Sequence, residues 1–203
     1  LCCARPGMNV VDFCAGGGGK ALALAASSGT DGKILGTLTA CDISGYRLER
    51  MIPRLKRAGA EKIKTRVIAA LHDDWIGKNA GKMDRVLADV PCTGTGTFAR
   101  HPDARWRLRP SALLELAGLQ EELLTAAGRI VPPGGLLVYS TCALEPEENE
   151  ERIDAFLAQN DEFHVEATGA VQARFVDDRG MLVVNPQETG FDGAFAARLR
   201  RNA

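Results

Sequence analysis

The sequence predicts an α/β fold built on a doubly wound, mostly parallel sheet. Three observations carry that expectation. Short runs rich in Val, Leu and Ile alternate with longer segments of helical period. Four consecutive glycines sit where the first apolar run gives way to the first helical segment. The acidic and cysteine-bearing turns fall just after apolar runs, where such a sheet gathers its ligand-binding loops on one edge.

Taken in order, 8–13 (MNVVDF) reads as the first strand, followed by the glycine loop and an Ala/Leu helix from Lys20 to Ser28. Residues 36–42 form a second strand, and a basic helix follows from about Tyr46 to Ala58, which Pro53 should kink. Residues 65–70 and 84–90 read as strands three and four. The clearest amphipathic helix spans 111–130, with Leu113, Leu116, Gln120, Leu123 and Leu124 along one side. A turn through Pro132-Pro133-Gly134-Gly135 opens a fifth strand over 134–142. A helix should begin near Pro146, with Glu147 and Glu148 at its positive end and the acidic stretch 147–160 on a solvated face. Weaker strands are expected at 162–168 and 181–186, and a last one at 193–201.

Composition bounds the function. The chain has 203 residues, 45% of them apolar and 25% charged, with a net charge of −1, which suits one soluble domain. No apolar run approaches the length of about 18 residues that a membrane span requires. The first residue is Leu1, with neither a basic nor an apolar leader behind it, so the chain is expected to be a fragment or processed form. Six cysteines and three histidines lack any zinc-type spacing, so no metal is expected. Scattered thiols in a chain this rich in apolar residues point to a reducing compartment, the cytoplasm.

The loop 12–20 (DFCAGGGGK) lets backbone approach a ligand closely at a helix N-terminus. It is not a phosphate-binding Walker A loop, because Cys14 holds the first Gly position and Ala21 follows Gly19-Lys20. A dinucleotide fingerprint is formally present as Gly16-x-Gly18-x-x-Ala21, and S-adenosylmethionine fits the same kind of loop. In either case Asp42, ending strand two, suits the ribose hydroxyls. The loop by itself does not separate the two cofactors.

After strands four and five come 88–103 (ADVPCTGTGTFARHPD) and 139–150 (YSTCALEPEENE). The topology brings Asp42, Asp89, Cys92 and Cys142 together around the glycine loop. A thiol pair beside a methyl donor suggests covalent chemistry on cytosine. Carbon 5 is too poor a nucleophile to be methylated directly, and a thiolate adding to carbon 6 turns the ring into an enamine-like nucleophile. A carboxyl group bonded to ring N3 stabilises that adduct, and Asp89 is placed for the role.

These motifs together resemble the RNA cytosine-5 methyltransferases of the Sun/Fmu (RsmB-like) type, over essentially the whole chain. The resemblance rests on DFCAGGGGK, CDIS with Arg47, DVPCTGTG with RHPD, YSTC with ENE, and the ending FDGAFAARLRR. It implies a Rossmann-like, seven-stranded sheet of the class I S-adenosylmethionine-dependent kind, a single catalytic domain over 1–203, and RNA (rRNA or tRNA) as partner to a monomer. It also implies an upstream RNA-binding region, which this chain would lack. Cys142 is implied as nucleophile and Cys92 as the thiol that assists product release. Donor contacts are implied for Cys14, Ala15, Gly16, Gly17, Gly18, Gly19 and Lys20, and for Asp42, Arg47 and Asp89. A further acidic contact is assigned to Asp73, with Asp74 the close alternative. Lys20 is also expected to reach the target base. One departure stands out: Gly16 and Gly17 replace the family's usual Ala and Pro.

Charge is regionally uneven. Residues 47–66 hold eight basic and two acidic side chains, and 145–166 hold nine acidic and one basic. Arg100, Arg105 and Arg107, with Trp106 among them, follow the Asp89/Cys92 loop and are the expected RNA contacts. His101 reads as a local hydrogen-bonding residue, and Cys14 and Cys41 as packing residues. Two rivals remain open at this point: a non-enzymatic RNA-binding module that keeps the fold, and a nicotinamide-dependent oxidoreductase.

Overall fold

The computed structural model describes residues 1–28, 36–68 and 72–203. Alternating strands and helices appear in the expected order. They begin with β1 (Asn9–Asp12), α1 (Gly19–Ser28), β2 (Thr37–Asp42), α2 (Gly45–Arg57), β3 (Lys64–Val67), α3 (Asp74–Lys78) and β4 (Arg85–Asp89). They continue with α4 (Ala104–Arg107), α5 (Ala112–Arg129), β5 (Leu136–Thr141), α6 (Glu150–Gln159), β6 (Phe163–Val165), β7 (Leu182–Val184), α7 (Pro186–Thr189) and β8 (Ala194–Arg201). The third strand was expected over 65–70; of that span, residues 69 and 70 lie outside the described residues.

The sheet runs β3-β2-β1-β4-β5-β8-β6, with β7 also on β8. The first five strands are parallel and β8 is antiparallel to β5. β6 pairs with residues 199–201 of β8, and β7 with 194–196. These are two stretches of the same side of β8, so the eight strands occupy seven positions, the last of them split in two.

Side-chain alternation along the strands separates two cores. Val11, Val86, Leu137 and Tyr139 face α5 and α6, packing on Leu124, Ile130, Ile153 and Phe156. Val10, Leu38, Leu87 and Val138 face α1 and α2, packing on Leu24, Leu48, Met51 and Leu55. Helices on both faces of one sheet are the doubly wound arrangement.

Pro53 lies inside α2; Pro53 and Glu49 are both exposed, so the Glu49 carbonyl that loses its helical donor is on the solvent side. Two local expectations shift. In α5 the buried face runs through Ala117, Gln120, Leu124, Ala126 and Ala127, while Leu113, Leu116 and Leu123 are only half-buried. The helix expected near Pro146 opens instead as a 3-10 turn, Pro146–Glu148, before α6. The reason is that Glu148 and Asn149 turn inward, which corrects the reading of 147–160 as a solvated face.

Candidate active site

Because β1, β2, β4 and β5 are parallel, their carboxyl ends share one edge, and the site is assembled there. After β1 the chain turns so that the Ala15 amide donates to the Cys41 carbonyl (2.7 Å) and the Gly18 amide to the Ala15 carbonyl (2.9 Å). Gly16 and Gly18 have φ of +52° and +85°. A Cβ on Gly18 would lie 2.4 Å from Met51 Cγ, so this residue has no room for a side chain. Arg54 donates to the Gly17 carbonyl (2.9 Å), tying the loop to α2.

Asp42 fixes the loop from the other side. Its Oδ2 accepts the Gly16 amide and its Oδ1 the Ser44 amide, both at 2.8 Å. Arg47 stands 4.0 Å from the same carboxylate. Together they border a cleft of about 360 Å³ whose walls include Phe13, Ile43, Ile68 and Leu123. That volume lies within the range of sites for small molecules, and apolar walls with a few placed polar groups are their usual make-up. Ile43, 72% exposed beside Asp42, is an apolar surface with no protein covering it.

Asp89 at the end of β4 accepts from Lys20 Nζ (2.6 Å) and from Ser140 Oγ (2.8 Å). A second cleft, of about 590 Å³, opens on the α1 side with Lys20, Ser140 and Phe195 in its walls. Asp89 and Cys142 belong to both clefts.

The thiols of Cys92 and Cys142 are 3.3 Å apart, and the Cys142 amide donates to Cys92 Sγ at 3.3 Å. Cys92 can therefore accept from that amide while its S–H donates to Cys142. This hydrogen bond lowers the Cys142 thiol to about 7, with the Lys20 ammonium acting in the same sense against burial and Asp89. The same contact, with burial, pushes Cys92 up. Burial pushes Cys14 up to about 12 and also raises Cys41, as suits packing residues.

Other expected residues lie elsewhere. Asp73 caps α3 through the Trp75 amide (2.8 Å) and pairs with Arg66 (3.2 Å), bordering a different cleft together with His72 and Asp74. Arg100 pairs with Asp192 (2.9 Å) and Arg107 with Asp103 (2.7 Å), while the Arg105 guanidinium stands 5.0 Å from the Trp106 ring centre. His101 is exposed. Among the described residues no group of His, Cys, Asp and Glu is arranged to hold a metal, and no helix is long and apolar enough to cross a membrane.

The 16S rRNA methyltransferase RsmB/F family matches residues 4–200. The chain belongs to the RsmB/F family. It is 39% identical over 202 residues to the ribosomal RNA small subunit methyltransferase B of Thermus thermophilus, covering 98% of this chain and 46% of that protein. Among solved structures, PH0851 superposes with a TM-score of 0.87 at 34% identity, over 98% of this chain and 44% of that one. NSun6 from Pyrococcus horikoshii, solved with SFG, gives 0.79 at 25% identity, over 98% and 49%. The chain thus spans less than half the length of the curated relatives it matches.

Sequence reasoning missed several residues of this RsmB/F site. Ile43 could have been found from its place directly after Asp42. Asp12 is wholly buried, and burial, reinforced by Asp89 against the opposing Lys20 charge and the Ala21 amide, raises it to about 7. Thr93, Gln120, Glu145 and Glu148 form a network behind the thiols; Thr93 and Glu148 fall within the DVPCTGTG and ENE motifs and Gln120 on the helix face, but none of them was given a role in the site.

Proposed function

We propose that this chain carries the catalytic part of an enzyme that uses S-adenosylmethionine to methylate carbon 5 of cytosine in RNA. The observation that carries the reading is the thiol pair, 3.3 Å apart, at the junction of two clefts that share Asp89 and Cys142. The donor belongs in the first cleft, bordered by Cys14 of the glycine loop, Asp42 and Arg47, and by Phe13 and Ile43; NSun6 solved with SFG, an analogue of the donor, supports this. Bound there, S-adenosylmethionine supplies an electrophilic methyl group. The target base belongs in the second cleft, where Lys20, Asp89 and Cys142 face it.

The residues divide the work on the base. The Cys142 thiolate forms a bond to carbon 6, and the ring electron pair shifts to carbon 5. Negative charge develops at ring N3, which takes a proton from the Lys20–Asp89 pair, and Asp89, fixed by Ser140, then accepts from the N3–H. Once carbon 5 carries its methyl group, Cys92, having released its own thiol proton to solvent, takes the carbon 5 proton as base. The electron pair left behind restores the carbon 5–carbon 6 double bond and expels Cys142 as thiolate. A base within an RNA helix must be swung out of the stack to enter. The names of the curated relatives favour ribosomal RNA of the small subunit over tRNA.

Two substitutions test the division of roles. Cys142→Ala abolishes methylation, and Cys92→Ala accumulates an RNA adduct that survives a denaturing gel. An undiminished rate with Cys142→Ala sinks the assignment, and an adduct with that variant but not with Cys92→Ala reverses the two thiols. Titration calorimetry with S-adenosylmethionine separates the enzyme from an inert RNA-binding scaffold, which gives no heat.

A further inference from the structure

Cys92 is held in place by a buried clamp that lies outside both clefts. Glu148 is wholly buried and accepts from the Thr93 amide (3.0 Å), the Thr93 hydroxyl and Gln120 Nε2 (2.8 Å). Gln120, also wholly buried, gives its second N–H to the Pro91 carbonyl (2.9 Å). The residues on either side of Cys92 are therefore fastened by the same two side chains. Glu148 is fastened in turn, since its carbonyl accepts from the Tyr139 hydroxyl (2.6 Å). Its neighbour Asn149 accepts from Thr141 (2.5 Å) and donates to the Ala143 carbonyl (3.1 Å), which anchors the turn that bears Cys142.

A buried carboxylate with three donors is expensive to desolvate and is kept only where each bond is made. A hydrophobic residue at 148 would fill the space and leave the Thr93 amide and one Gln120 donor to find other partners. Nothing in the packing of α6 requires an acid here. What the acid does is join the Cys92 loop, α5 and the Cys142 turn at a single point.

We propose that Glu148 and Gln120 are positioning residues that hold Cys92 Sγ at hydrogen-bond distance from Cys142, and so set the reactivity of the Cys142 thiol. The proposal rests on Cys142 as the nucleophile, but it is testable on the protein alone. Among the described residues, Lys20 from α1, Asp89 from β4 and Cys92 from the following loop are the charged and titratable groups that act on Cys142. Only Cys92 is held by the clamp.

The experiment is the pH dependence of Cys142 alkylation by iodoacetamide, followed by peptide mass in the purified chain. The wild type should give a midpoint near neutrality, and Cys92→Ala a midpoint about one pH unit higher, closer to an ordinary thiol. Glu148→Gln, which turns one acceptor into a donor facing Thr93, should raise the midpoint similarly. In the Cys92→Ala background the same substitution should add nothing, because its effect runs through Cys92. An unmoved midpoint in Glu148→Gln overturns the proposal, as does an equal rise with and without Cys92. Should Glu148→Gln fail to fold by circular dichroism, Gln120→Met is judged by the same two criteria. If the midpoints behave as expected but Cys142→Ala still methylates RNA, the clamp stands and the functional reading falls.

Discussion

The two sides of the site are built by different means. On the donor side, the loop is held by backbone amides, the Asp42 carboxylate and one arginine, all within residues 13–54. On the thiol side, residues from the loop after β4, α5, β5 and the turn before α6 are joined by buried side chains far apart in sequence. The donor side offers chemistry that many nucleoside cofactors can use. The thiol side fixes two sulfur atoms against each other, and that arrangement serves few reactions.

Separability is the sharpest test of this division. Cys142→Ala should cut methylation by about 10³-fold or more while leaving the calorimetric affinity for S-adenosylmethionine within about twofold. A comparable loss of donor affinity would mean that the two sides act as one unit. Next in size is Gly18→Ala. Its positive φ and the 2.4 Å approach to Met51 Cγ impose both backbone strain and a clash on a core that is fully packed. The expected destabilisation is about 2–4 kcal/mol in chemical denaturation, with loss of donor binding. Asp42→Ala removes the acceptor for the Gly16 and Ser44 amides but leaves the thiols untouched. It should weaken donor affinity by about 10–100-fold, with turnover at saturating donor changed far less.

The donor side was legible because its contacts are local. A strand, four glycines and an acid ending the next strand lie within about thirty residues, and each has a backbone reason to be where it is. Cys92 and Cys142 were legible for a related reason: they follow strand ends, and parallel strands gather those ends on one edge. Their support was not. Gln120 appeared as one of five positions on an apolar helix face, and Glu148 as one of nine acidic side chains between 145 and 166. Nothing in periodicity or charge distinguishes a buried carboxylate from its solvated neighbours, because its partners, Thr93 and Gln120, are 55 and 28 residues away. The split of the last sheet position between β6 and β7 was hidden likewise, since it depends on pairing with β8.

Asp12 lies beneath both sides and gives a pH test. Folded, it keeps its proton to about pH 7, because burial and the Asp89 charge disfavour ionisation; unfolded, it loses it above about pH 4. Between those values the folded chain binds more protons, so the stability owed to protonated Asp12 falls as pH rises and is gone above about 7. Asp12→Asn should remove that slope. Relative to wild type, the variant should gain on the order of 3 kcal/mol on going from pH 4.5 to pH 8, read from melting temperatures at each pH. Parallel pH curves for the two proteins would show that Asp12 ionises as freely folded as unfolded.

The smallest effects belong to the surface beyond the thiols. Trp106 is 79% exposed, and its ring is already covered on one side by Arg105. A base stacking on the open face is worth about 1–3 kcal/mol, so Trp106→Ala should weaken RNA binding by about tenfold. Arg100 and Arg107 differ, because each is already paired with an acid. A phosphate must compete with Asp192 or Asp103 for them, and exposed pairs of this kind are worth about 0.2–1 kcal/mol. Asp103→Asn should therefore strengthen RNA binding by about two- to threefold at low salt, an effect that fades as added salt screens the competing charges. A strengthening that persists at high salt would place Asp103 against the base rather than the phosphate track, and would move the specific part of this surface from Trp106 to the turn before it.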